Sequence, residues 1–376
     1  MTHRFTIDGN QQLESSLLDF QEEVREEVCR IIPESEIESI LLGGGYGRGE
    51  GGVLQAGNEE WPYNDFEYYV FVHGNVPVAQ KRYQNLLAAM GDRMGQRWNM
   101  HVDFKIASIP RWAGQTVSMF SYDLLERHYC VTGKDTPFPG CEHHHRADQI
   151  PLSEATRLMF NRCTGLLYSH QKLSGKDISE EDIDFVTRNQ AKICLALGDS
   201  LLCANGQYHW SCRERNERLT AMGSLSGMND LNAIKEWHRE GVAFKLHPEK
   251  RIYTTEQLRK RQELLSETAG RVWLWIENKR LNLSCSTLME YASENLNKFP
   301  EGSRVKNILL NLKFFGLGSP WSMRYPREHL YHALVWLLWE NGKTESIKKA
   351  SSVLRLETTA QTALIQRYEQ LWERFG

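Results

Sequence analysis

A run of glycines between two apolar segments constrains this chain more than any other feature. Ile40-Leu41-Leu42 leads into Gly43-Gly44-Gly45-Tyr46-Gly47-Arg48-Gly49-Glu50-Gly51-Gly52. Seven glycines in ten residues suit neither a helix nor a strand interior. A turn is predicted, with a backbone able to take positive φ and to approach a ligand closely. Two readings stay open: a flexible glycine hairpin, or a cradle of exposed amides for phosphate. It is not a Walker A loop, because no Gly-Lys-Ser/Thr follows. Nor is it the dinucleotide element, because no long βαβ unit and ribose-binding acid follow at the usual spacing.

The next apolar segment, residues 65–72, reads as a strand rich in aromatic and β-branched residues. Asp65 and Glu67 are two apart, so both side chains leave one face. Two acids so placed repel each other, and a divalent cation relieves that repulsion. A third acid, Asp103, sits inside a later strand at 101–109. If that strand pairs beside the first, Asp103 joins Asp65 and Glu67; a purely structural role for Asp103 is the alternative. Three carboxylates beside a phosphate-cradling turn is the composition of a two-metal phosphoryl-transfer site. Oxygen-only ligands favour Mg2+ or Mn2+ over zinc.

These residues resemble the nucleotidyltransferase superfamily, whose fold is that of DNA polymerase β and the small antibiotic nucleotidyltransferases. The family typically has Gly-Ser, then residues often reading Tyr-Ala-Arg-Gly-Glu, then Ser-Asp-x-Asp on the next strand. Here Gly44-Gly45-Tyr46-Gly47-Arg48-Gly49-Glu50 is followed by Asn64-Asp65-Phe66-Glu67. The resemblance implies that Gly44 and Gly45 face a triphosphate and that Asp65 and Glu67 are paired metal ligands. It implies that Asp103 is the third carboxylate, helping to activate the attacking hydroxyl. Tyr122-Asp123-Leu124-Leu125 leading to Val131-Thr132-Gly133 is also similar to the close of the family's catalytic domain. Three departures stand out. Gly45 replaces the family's Ser, Glu67 replaces its second Asp, and the segment 51–63 is longer than in minimal members. The substrate expected from the resemblance is ATP or another nucleoside triphosphate, with Mg2+ or Mn2+. Arg48 is either a phosphate contact through its donor fork or one half of a surface ion pair with Glu50 or a nearby acid.

After about residue 151 the pattern turns helical, with segments predicted at 152–173, 180–204, 255–281, 284–297, 303–315 and, in two or three pieces, 326–370. The expected fold class is α+β: a nucleotidyltransferase-like mixed-sheet domain over 1–150, then an all-helical nucleotide- or acceptor-binding domain over 151–376. Arg157, Asn161 and Arg162 share a broad helical face, and with Asn189 and Lys192 they offer a polar wall for triphosphate or base. Solvated charges on a bundle surface are the alternative. Tyr208-His209-Trp210 with Arg213 and Arg215 is an aromatic and basic patch or a core-edge cluster. His143-His144-His145 reads as a polar surface loop rather than a zinc site, since consecutive residues cannot all reach one ion. Most of the 11 Trp fall in the helical half, where packing is their expected role.

Charge and composition narrow the partners. Lys plus Arg is 45 against 48 Asp plus Glu, a net charge of −3, so extended nucleic acid is not the expected acceptor. No stretch of 18 apolar residues occurs, so a membrane partner is not expected. The N-terminus lacks the apolar core of a signal peptide, and the eight Cys, with no close CxxC pair, read as reduced thiols of a cytoplasmic protein. The expected activity is nucleoside monophosphate transfer from a triphosphate to an unidentified acceptor, a small molecule or a protein, with pyrophosphate released. A catalytically weakened nucleotide-binding or interaction module is the alternative. Phosphatase or phosphodiesterase action is disfavoured by the lack of His/Asp ligand clusters. The sequence leaves the acceptor and the oligomeric state open.

Overall fold

The computed structural model describes residues 3–175, 177–249, 253–317 and 321–376. The N-terminal part is an α+β mixed-sheet domain and the C-terminal part is helical. The chain divides into two compact units. The first comprises Met1–Glu154, Leu202–Met222 and Arg239–Arg251, and the second comprises Ala155–Leu201, Gly223–His238 and Ile252–Gly376. Two segments of the helical half thus belong to the first unit.

The first unit opens with helix α1 (Gln11–Ile31), capped by Asn10, whose side chain accepts from the Leu13 amide. Strand β1 (Ile37–Leu42) runs into a single helical turn, α2 (Gly44–Gly47). A hairpin of β2 (Val53–Ala56) and β3 (Glu59–Pro62) follows. Then come β4 (Phe66–Val72), α3 (Val76–Gln96), β5 (Val102–Ala107), α4 (Ile109–Ala113), α5 (Met119–Glu126) and β6 (Tyr129–Gly133). The main sheet has the order β5-β4-β1-β6. β1 is antiparallel to both β4 and β6, whereas β4 and β5, joined through α3, are parallel.

Strand periodicity sorts the side chains of β4. Phe66, Tyr68, Val70 and Val72 point into a core shared with α1 and α3. Tyr69 and Phe71 point the other way, into a second core with Trp112 of α4 and Leu124 of α5. Glu67 falls on this second side, which is how a carboxylate comes to sit at one end of an otherwise buried strand.

The helical part runs through α6 (Leu152–Leu173), α7 (Glu180–Ala204), α8 (Cys212–Ala221), α9 (Leu231–Leu246) and α10 (Thr255–Leu281); α8, the first three residues of α6, the last three of α7 and the second half of α9 belong to the first unit, the rest to the second. It continues through α11 (Leu288–Ser293), α12 (Arg304–Phe315), α13 (Arg327–Leu334), a π turn at Val335–Trp339, α14 (Thr344–Leu354) and α15 (Gln361–Phe375). The segment predicted as helix over 284–297 is helical only as α11, while α8 and α9 are helices the sequence reading did not assign. Trp273 is buried against Tyr291, Tyr331 and Trp339, in keeping with a packing role. All eight cysteines are free thiols. Among the described residues no helix is long and apolar enough to cross a membrane.

Candidate active site

The strand register brings two of the three carboxylates side by side. In the parallel β4–β5 ladder Glu67 is the partner of Asp103, and Tyr69 is the partner of Lys105. Asp65 lies just before β4 and is exposed, two residues from Glu67. The period of two places Tyr69 beside Glu67 and Lys105 beside Asp103. Lys105 Nζ lies 3.2 Å from Asp103 Oδ2, a solvent-facing pair of modest strength. Tyr69 holds its proton well above the ordinary phenol range, because it is buried and because Glu67 and Asp103 lie nearby, with a hydrogen bond to Glu67. Tyr69 and Lys105 were not singled out from sequence, although the same two-residue period marks them.

The glycine turn sits over this row. The Gly43 amide donates to the Glu67 carbonyl at 2.8 Å. Gly44 has φ +62°, and a Cβ built there would lie 3.4 Å from Glu67 Oε2. At Gly45 an added Cβ would come within 3.1 Å of the Glu50 carbonyl oxygen. The position is crowded by backbone, so a Ser there would need the turn to shift. Tyr46 is fully buried and pins the turn, donating from its hydroxyl to the Gly52 carbonyl and accepting from the Tyr63 and Asn64 amides. The Asn64 side chain accepts from the Gly52 amide, closing the loop that carries Asp65.

Arg48 and Glu50 turn away from the carboxylate row. Arg48 Nη1 donates to Asp123 Oδ2 of α5 at 3.1 Å; the pair is largely buried rather than at the surface, and its acid is not Glu50. Glu50 is 4% exposed and accepts from Ser211 Oγ and from the Cys212 amide at the start of α8. Burial acts to raise the Glu50 pKa, but Lys245, the Ser211 and Cys212 hydrogen bonds and Arg48 overcome it and hold the carboxyl below its ordinary range. Lys245 is pushed down by burial, with Arg48 and Arg215 adding to the effect. This network ties the returning segments Leu202–Met222 and Arg239–Arg251 to the turn. Asp123, Ser211, Arg215 and Lys245 were not expected as a group. The one sequence signal was Ser211-Cys212-Arg213-Glu214, a helix-start pattern, and Ser211 does accept from the Glu214 amide.

Arg157 and Asn161 on α6 and Lys192 on α7 are exposed and belong to the second unit, whereas the carboxylates and the glycine turn belong to the first. Arg157 pairs with Glu301 at 2.9 Å, and Arg162 donates to Asn161. The Tyr208 patch is a core-edge cluster: Tyr208 and Arg215 are buried, and Arg215 donates to the His209 and Trp210 carbonyls. The histidine triplet is corrected in part. His144 is interior rather than on a surface loop, its Nε2 bonded to the Trp112 carbonyl. His143 and His145 bond elsewhere, to the Gln115 carbonyl and to Glu126.

Among the described residues, no group of three or more His, Cys, Asp or Glu side chains converges into a metal-holding cluster. Comparison of the chain with protein-family models, with curated proteins and with solved structures finds no match.

Proposed function

We propose that the first unit transfers a nucleoside monophosphate from a nucleoside triphosphate to a small-molecule or protein acceptor, as nucleotidyltransferases do. The observation that carries this reading is the pairing of Glu67 with Asp103 beneath a glycine turn whose Gly44 lies against the Glu67 carboxylate. The donor set fits a hard divalent cation, since it offers only carboxylate oxygens. Asp65, Glu67 and Asp103 do not converge into a cluster in this structure and would have to draw together to hold Mg2+ or Mn2+, which when bound would supply Lewis-acid stabilisation of phosphate charge.

The chain's own groups have separable tasks. Tyr69, protonated throughout the working pH range, orients the Glu67 carboxylate. Asp103 accepts the proton of the attacking acceptor hydroxyl as the α-phosphorus is attacked and pyrophosphate leaves. Lys105 lies against Asp103 on the same face of the sheet edge. The amides of Gly44 and Gly45 lie at the start of the α2 turn, beside the place where phosphate would meet Glu67.

A second reading is a weakened, nucleotide-binding member of the same fold. It is favoured by two engaged charges: Asp103 is paired with Lys105, and Arg48 with Asp123. Pyrophosphate release from each of the four triphosphates, over an acceptor panel with Mg2+, separates the two. For the first reading Asp65→Asn loses at least about a hundredfold, the upper end of what disturbing a metal ligand's surroundings costs. Equal turnover in wild type and variant would sink the site. Mg-nucleotide binding by calorimetry, with no turnover for any acceptor, selects the second reading.

A further inference from the structure

Helix α12 of the second unit is turned inside out. Its buried positions are Asn307, Asn311 and Phe315, spaced four apart. The two amides satisfy themselves inward: Asn307 Nδ2 donates to the Glu301 carbonyl at 2.9 Å, and Asn311 Nδ2 to the Arg324 carbonyl at 2.8 Å. The outward face is apolar. Val305, Leu309 and Leu312 are 70%, 62% and 42% exposed and fall on one stripe. Leu317 and Met323 beyond the helix are 81% and 60% exposed. Large aliphatic groups this bare and this close together mark a contact surface.

The charge around the stripe is one-sided. From Gly302 to Arg327 the sequence holds five basic residues and no acid. Arg324 and Arg327 are used within the fold, against Glu328 and Glu301. Arg304, Lys306 and Lys313 are exposed and have no ion-pair partner among the described residues. We propose that α12 docks on an anionic lipid surface, lying in its plane with Val305, Leu309 and Leu312 at the headgroup boundary.

Two other occupants fit less well. A second copy would bring the same cations together across the contact. A stable protein partner ordinarily needs about 20–30 residues a side, several times what this stripe supplies. A lipid interface needs no matching groove; a short apolar stripe and a few cations act additively there, and lysine stems reach the headgroups. Lying on a surface is a different matter from spanning it, so the absence of a crossing helix does not bear on the proposal.

The test is co-sedimentation of the full chain with vesicles of phosphatidylcholine alone or mixed with phosphatidylglycerol. The chain is expected to sediment with the mixed vesicles only, and less so at high salt. The double variant Leu309→Ser with Leu312→Ser, and separately Lys306→Glu with Lys313→Glu, should each lower binding on the order of tenfold. These side chains face solvent, so the variants should melt as wild type does; if the serine pair unfolds, the charge reversal still decides. Failure of wild type to bind mixed vesicles overturns the proposal, as does unchanged binding by the charge-reversed variant. Two further outcomes overturn it if vesicles are not bound. One is a dimer in sedimentation velocity that the serine variant abolishes, which gives the face to a second copy. The other is binding of an acidic amphipathic peptide, which gives it to a protein.

Discussion

Glu50 shows what a single buried carboxylate does in this fold. It joins the glycine turn to α8 through Ser211 and Cys212, and its charge faces Lys245 and Arg48. Its pKa is lower in the folded chain than its ordinary value of 4.5. The stabilisation it brings is therefore fully present above that value and is lost as pH falls through the folded pKa. Glu50→Gln is expected to cost about 1–3 kcal/mol at neutral pH. It should also flatten the acid side of the stability curve below about pH 4.5, read by urea melts at stepped pH. A variant with unchanged acid-side slope would show that the carboxylate's charge is not engaged. The residue scale is also where sequence reading was weakest. Arg48 and Asp123 are 75 residues apart, and nothing local says which of many acids an arginine will find. Asp65, Glu67 and Asp103 could be singled out because the strand period is local, but the neighbouring of Glu67 and Asp103 also needed the pairing of β4 with β5.

Among elements, α3 packs with its backbone close against β5 and the residue pair before it. Gly91 and Gly95 lie on one face of α3, and a Cβ on either would collide with a backbone carbonyl, that of Val102 or of Met100. In an ordinary exposed helix Gly→Ala stabilises by about 1 kcal/mol. At Gly91 the sign should reverse, to a loss of about 1–3 kcal/mol from overpacking, measured as a lower urea midpoint. A raised midpoint would mean that α3 can move off the strand. Elements with a strong period were legible: β4, α6, α7 and α10 lie within about two residues of where the pattern put them. The β2–β3 hairpin was not, because Val53–Ala56 and Glu59–Pro62 leave few side chains buried and so lack alternation. Helix α8 was missed for a similar reason: three of its ten residues are buried, among them Arg215, so it shows no apolar stripe.

At the scale of the whole molecule the sequence signalled a change of character near residue 151, and the first break between compact units falls after Glu154. It did not signal that the chain returns, because Leu202–Met222 and Arg239–Arg251 carry the same helical pattern as their neighbours. Membership of the first unit is set by Glu50, Asp123 and the segments they bind, contacts invisible to composition. Residues 1–154 expressed alone should therefore lack a cooperative thermal transition, because Glu50 would be left without Ser211, Cys212 and Lys245. Circular dichroism melts of 1–154 and of the full chain make the comparison; a sharp transition in the fragment would show that the returning segments are dispensable.

The discontinuous first unit has a consequence for synthesis. Once residue 154 has been made, about a hundred further residues must follow before its last segment, ending near 251, exists. At ~5–20 residues per second that is a wait of about 5–20 s. Throughout it the turn that carries Glu50 is without Ser211, Cys212 and Lys245. A nascent chain of this design is exposed to proteases and chaperones at the very place where its glycines are most concentrated.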